Sequence, residues 1–215
     1  AGRLSHARGF SDVLRREGCC SWTEIALPWI PLKVLGDVGA RSDDQPLRCC
    51  CFPSTSDEAF KLLREAILNA CPDAPGLVLT LFDLEQPSGA VQDQQWGHVS
   101  VQIHAADAMA EPHHGFANQD VLLMPSIDPI GFRLEVVEAL SAGLWVVASD
   151  HGGLSDPILD GVNGEKVAAS DAWRWTAVLE RLAAVHPLQQ PIVQFRQDTE
   201  QRRCEWTELY RQWMG

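Results

Sequence analysis

The chain is short of positive charge: it has 17 Lys+Arg against 29 Asp+Glu, a formal net charge of −12 over 215 residues. That imbalance argues against nucleic acid, whose binding depends on basic residues neutralising phosphates, and against an anionic membrane surface. No apolar run approaches the ~20 residues of a transmembrane helix. The opening residues carry no apolar signal core, and no internal repeat or low-complexity segment is present. The seven cysteines include no C-x-x-C pair, and three are adjacent at Cys49, Cys50 and Cys51. Neither a disulfide framework nor a zinc site follows from that pattern. It fits small apolar core thiols in a reducing compartment, so a cytoplasmic protein is expected.

Apolar residues make up 46% of the chain, enough for a sizeable core. The most informative stretch is 120–164. Two short apolar runs, 121–124 and 145–148, have the length of fully buried strands. Between them Leu134, Val137 and Leu140 recur at three-residue steps, with Val136 beside them, which predicts a helix. Strand, helix and strand in that order form a parallel unit with a right-handed crossover. Gly-bearing turns follow both strands, at 129–131 and at 151–153. Turns at the carboxyl ends of parallel strands build the crevice in which open α/β sheets bind ligands.

The flanking sequence extends the alternation. Residues 47–52 read as a strand, and Ser56-Asp57-Glu58 as the capped, acidic start of a helix reaching about residue 70. Strands follow at 77–82 and 99–103, and then a weak, Ala- and His-rich helical piece at 105–119. After the central unit come a strand at 165–167 and a helix capped by Ser170-Asp171 that runs to about residue 185 and carries Trp173, Val178 and Leu182. A last helix over 192–213 carries Trp206, Leu209, Tyr210 and Trp213 as one apolar stripe. The fold expected is α/β, a Rossmann-like doubly wound parallel sheet. Three parts are expected: a lead-in or linker remnant at 1–45 with a helix over 5–17, a ligand-binding domain at 46–190, and a C-terminal crossover helix at 191–215.

Several residues carry candidate chemistry. Gly131-Phe132 sits where backbone amides and a helix N-terminus can meet an anion, although the same turn serves as a plain strand-to-helix connection. Glu138 lies on a largely apolar helix, where a carboxylate needs a partner; sugar hydroxyls, a salt bridge or solvent would each provide one. Glu135 is expected to face water. Gly152-Gly153 permits a tight turn whose amides face a phosphate, or serves chain geometry alone. His151 is ordinarily read as structural or solvated. His98, His104 and His113-His114 lack ligand spacing, so no metal is expected.

The runs D-VLLMPS, GF-x-L-x-V-V-E-A-L-S-A-G, x-V-V-A-S-D-x-G-G-L and D-G-V-N-G, in this order and spacing, resemble the C-terminal domain of GT-B glycosyltransferases of the retaining family 4 type. The similarity extends more weakly over most of the chain. It implies a domain that binds a nucleotide-sugar donor, with no metal or other cofactor. It also implies a glycan or lipid-linked acceptor, held by an N-terminal lobe of the same or another chain that is nearly absent from this sequence. Carried over, Glu138 matches the second glutamate of the E-x7-E motif and grips the nucleotide ribose. Gly131, Phe132, Gly152 and Gly153 match the turns that meet phosphates and sugar.

Three departures matter. Ile130 stands at the first glutamate position, which leaves Asp128, two residues earlier, as the candidate catalytic carboxylate. The family's basic pair falls on Pro53 and Glu58, with Arg48 as the replacement within 47–60. Loss of two charged phosphate contacts, each worth about 1.5–3 kcal/mol, would weaken donor handling more than a hundredfold. The alternative is therefore a non-catalytic relative that binds a partner or a glycan with a degraded donor site.

Overall fold

Short runs of branched, leucine and cysteine side chains assemble into one mixed sheet in the computed structural model of the protein. It describes residues 3–5, 23–25, 46–52, 58–69, 76–83, 91–105, 116, 118–127, 133–150 and 153–184. The elements are β1 (Arg3–Ser5), β2 (Thr23–Ile25), β3 (Leu47–Cys51), α1 (Glu58–Asn69), β4 (Leu77–Asp83), β5 (Val91–Trp96) and β6 (Val99–Ala105). They continue with β7 (Val121–Met124), α2 (Leu134–Ala142), β8 (Trp145–Ser149), β9 (Gly164–Val167) and α3 (Ala172–Ala184). β1 and β2 form a separate parallel pair. The expected helices at 5–17 and 192–213 lie outside the described residues, except Ser5, which ends β1.

The main sheet has the order β5-β6-β4-β3-β7-β8-β9. Its six parallel strands, counted along the chain, lie in the order 3-2-1-4-5-6, the arrangement of a dinucleotide-type Rossmann sheet. The expected doubly wound parallel sheet is thus present, with one addition. β5 runs antiparallel to β6 at the edge, joined through Gly97-His98. It escaped sequence reading because five of its six residues, Val91 to Gln95, are exposed and show no apolar alternation.

Strand alternation divides the core between two faces. Cys49, Cys51, Val121, Leu123 and Val147 meet Leu63, Ile67, Trp175, Val178 and Leu182, the inner stripes of α1 and α3. Cys50, Leu122, Met124, Val146 and Ala148 meet Val136, Val137 and Leu140 of α2 on the other side. Thr176 ties the two helices of the first face together, donating from Oγ1 to the Ala66 carbonyl at 3.3 Å. The expected N-cap of α3 is present: the Arg174 N–H donates to Asp171 Oδ1 at 2.9 Å. Of its two tryptophans, Trp173 is 86% exposed and Trp175 is 1% exposed. The buried set 175, 178, 179, 182 follows the helical repeat, and residue 173 falls on the opposite side.

The three adjacent cysteines are free thiols buried in β3. Burial, with Cys49, Cys51 and Asp120 nearby, pushes the Cys50 thiol well above its ordinary range. An unfolded thiol ionises near pH 8.5, so above that pH the unfolded chain releases a proton that the native chain keeps. Stability falls as pH rises, by about 1.4 kcal/mol per unit for such a group. Denaturant midpoints at pH 8 and pH 10 are expected to drop more for the native sequence than for Cys50→Ala. Equal drops would contradict this.

Candidate functional site

In a 3-2-1-4-5-6 sheet the crevice opens where the strand order reverses, outside the carboxyl ends of the first and fourth parallel strands. Here those are β3 and β7, paired over Cys49↔Val121 to Cys51↔Leu123. β3 delivers the chain to Phe52, and β7 delivers it to Pro125, Ser126 and Ile127. The neighbouring β8 ends at Ser149 and Asp150. Ser126 and Ser149 are both buried, and the Ser126 N–H donates to Ser149 Oγ at 2.9 Å. This bond fixes the start of the loop after β7 against the end of β8. The chain therefore leaves β7 and β8 from adjacent, tied points.

The loop after β7 enters α2. Arg133 is its N-cap residue, extended at φ −112 and ψ 115, with no side-chain capping bond. The first N–H groups of a helix have no intrahelical partner, and the Arg133 side chain does not cap them. At the other end Gly143 adopts φ 87, and the Leu144 N–H donates to the Ala139 carbonyl at 3.0 Å, closing the helix in a left-handed cap. α2 is thereby held to nine residues, with its start at the crevice. Glu138 lies in its second turn, half-buried and engaged within the protein, between the buried Val137 and Ala139. Glu135, expected to face water, is also half-buried.

Of the other candidates, Gly153 is buried and leads into Leu154, Ser155 and Ile158, all inside the core. Asp128, Ile130, Gly131, Phe132, His151, Gly152 and Pro53 lie outside the described residues. Glu58 is exposed as the first residue of α1.

Arg48, considered as a replacement cation, is placed elsewhere. It is the second residue of β3, at the amino end of the sheet, and forks onto Asp120 through Nε at 3.2 Å and Nη2 at 2.9 Å. Its own N–H also donates to Asp120 Oδ2 at 2.9 Å. The Asp120 hydrogen bond raises the guanidinium pKa further, against a smaller opposing effect of burial. This pair, 72 residues apart in sequence, locks the start of β3 to the start of β7 and takes no part in the crevice.

The D-G-V-N-G turn is likewise structural. Asn163, buried, accepts from the Leu159 N–H at 2.7 Å and donates to the Pro157 carbonyl at 3.2 Å. Asp160 accepts from the Lys166 N–H at 2.8 Å. The turn is knotted to itself and feeds β9 into the sheet. On the β3 side of the crevice Phe52 stacks on Phe82 (centroids 5.2 Å, interplanar angle 21°) and meets Phe116 edge-on at 5.9 Å. His104 joins this group, 6.0 Å from Phe82. Among the described residues no group of three His, Cys, Asp or Glu side chains is placed to hold a metal ion, and no helix is long and apolar enough to cross a membrane.

Sequence reading missed two features. The Ser126–Ser149 tie has no local signal, since two serines 23 residues apart are unremarkable until the strands pair. Arg133 had one: a cation stands immediately before the helix, where Ser, Thr, Asp or Asn is the usual cap.

Comparison with known proteins now adds to this geometry. Residues 57–184 match the family model described as glycosyl transferases group 1. No curated protein sequence matches the chain. Among solved structures, sucrose-phosphate synthase from Thermosynechococcus elongatus superposes with a TM-score of 0.65 at 17% identity, over 99% of this chain and 58% of that one. HepE from Anabaena, in complex with UDP, gives 0.65 at 15% identity, over 93% of this chain and 58% of its own. The C-terminal domain of a group 1 glycosyl transferase (LpcC) from Francisella tularensis gives 0.54 at 16% identity, over 72% of this chain and 85% of that domain. The chain thus spans a little over half the length of the first two.

Proposed function

The chain belongs to the group 1 glycosyl transferases, and on that premise we propose that it is the donor-binding part of a retaining GT-B glycosyltransferase. It takes a sugar from a nucleotide-sugar donor and passes it to a glycan or lipid-linked acceptor. The acceptor lobe comes from the same or another chain. The observation that carries this reading is the meeting of three features at one point. The strand order reverses between β3 and β7; the helix that leaves β7 starts there without a side-chain cap; and Glu138 stands one turn inside it.

In this reading the amides of the Gly131-Phe132 and Gly152-Gly153 turns meet the donor diphosphate, and Glu138 binds the ribose hydroxyls. Asp128 is the carboxylate at the reacting sugar. The start of α2 offsets the charge on the departing diphosphate, so the reaction needs no metal. The buried free thiols of β3 suit a reducing, cytoplasmic setting.

A second reading, a non-catalytic glycosyltransferase-like binding protein, is favoured by Glu58. That residue places an exposed negative charge at the start of α1, beside the same strand end, where a bound diphosphate would be repelled.

Melting the full chain with a panel of nucleoside diphosphates separates the two. A ligand at a hundred times its Kd adds about 2.7 kcal/mol to the folded state, a readable rise in Tm. We expect such a rise for at least one base, and its loss in Glu138→Ala, with Glu138→Gln as a control for the free protein's own stability. No rise with any base supports the second reading, and an undiminished rise in Glu138→Ala removes that residue's role.

A further inference from the structure

The seven-stranded sheet has β5 at one edge and β9 at the other. An edge strand presents main-chain donors and acceptors on its outer side, to which a strand of another molecule can add. The ladder to β8 fixes which groups of β9 those are. The Val146 and Asp150 N–H groups donate to the carbonyls of Asn163 and Val167, at 3.3 and 2.9 Å. Main-chain groups of successive residues in a parallel strand point to opposite sides. Those of Glu165 therefore face β8 as well, and those of Gly164 and Lys166 face outwards.

The D-G-V-N-G turn engages both outward residues. The Gly161 N–H donates to the Gly164 carbonyl at 2.9 Å, and the Lys166 N–H donates to Asp160 Oδ1 at 2.8 Å. Asp160 and Gly164 are bridged in the parallel sense. One amide and one carboxylate oxygen thus stand where a residue of an added parallel strand would bond. Asp160 and Gly161 are exposed, and the Asp160 bond lies at the surface, so this contact contributes little to the core. Its place is on the outer side of the strand, where pairing would begin.

We propose that the D-G-V-N-G turn guards the outer edge of β9, with Asp160 as the side chain that keeps a strand of a second copy of this chain from pairing there. The inference is independent of the donor-site reading.

The test compares the native chain with Asp160→Asn, Asp160→Ala and the double variant Asp160→Ala, Lys166→Pro. Asparagine loses the charge and keeps the Oδ1 acceptor, whereas alanine loses both. Proline at 166 removes an N–H that points away from β8, so the inner ladder is kept and no donor is left on the edge. Size is read by light scattering over a range of concentrations, with circular dichroism as the check on folding. Asp160→Asn is expected to keep the native size throughout, and Asp160→Ala to form dimers or larger species as its concentration rises. The double variant is expected to return to the native size. In dilute solution the Lys166 amide is expected to exchange its hydrogen about tenfold or more slower in the native chain and Asp160→Asn than in Asp160→Ala. A folded Asp160→Ala that keeps the native size at every concentration overturns the proposal. So does association that persists in the double variant, and so does equal association of Asp160→Asn and Asp160→Ala, which would make lost charge the cause. Should Asp160→Ala fail to fold, the native and Asp160→Asn chains decide: a Lys166 amide exchanging at the rate of an unbonded one in both removes the guard, and slow exchange in both upholds it.

Discussion

Gly164→Ala is expected to destabilise the protein by about 3 kcal/mol or more, although its backbone is not left-handed. Gly164 lies opposite Val146 in the β8–β9 register. A methyl group built on it would fall well inside contact distance of the Val146 carbonyl oxygen and 3.1 Å from Ile158 Cγ2. The first obstacle is main chain in the sheet, which cannot rotate away, so β9 must separate from β8 or the sheet must bend. Gly161, three residues earlier in the same turn, provides the comparison. It has φ 73 with nothing within 4 Å of an added methyl, so Gly161→Ala meets only the left-handed penalty of about 1–2 kcal/mol. Denaturant melts of both variants check the pair. A Gly164→Ala midpoint at or above that of Gly161→Ala would sink this account of β9.

Trp175→Ala is expected to cost about 3–5 kcal/mol, while Trp173→Ala stays within about 0.5 kcal/mol of the native chain. Both residues lie in the first turns of α3, and only the packing tells them apart. Trp175 is 1% exposed and sits in the core between α3 and the sheet. Its removal leaves a cavity that Val178, Leu179 and the strand residues cannot fill. Trp173, at 86% exposure, makes little contact to lose. Fluorescence gives an independent measure: the solvent-facing indole is the one acrylamide reaches in the native state, so Trp173→Ala removes most of the quenchable emission that α3 contributes. Equal melting of the two variants would mean that the helix is rotated from the position described.

How far the sequence could be read depends on the range of each cause. β3, β4, β7 and β8 were legible because a strand covered on both faces must be apolar throughout, and short apolar runs between glycines have few other uses. α1 was legible from Ala59, Leu63, Ala66 and Ile67, which hold to one stripe. β5 was not, since V-Q-D-Q-Q carries no buried face and is a strand only because β6 offers it an edge. The strand-turn-helix run that points to the candidate site, G-F-R-L-E-V-V-E, is contiguous and could be seen by eye. The partner of Arg48 could not: its nearness to Asp120 exists only once β3 and β7 pair.

By itself, the sequence determined the alternation of strands and helices, the acidic surface and the family motifs between 120 and 164. These are set by hydrophobic period, glycine placement and net charge within a few residues. The tertiary structure alone decided that the strand order reverses between β3 and β7, and that Arg48 closes the sheet's amino end. It also decided that Trp175, not Trp173, is inside, and that the D-G-V-N-G turn is bonded to itself and to the start of β9. Each of these follows from pairing and packing between segments far apart in the chain, where a local pattern allows several arrangements and only the assembled core selects one.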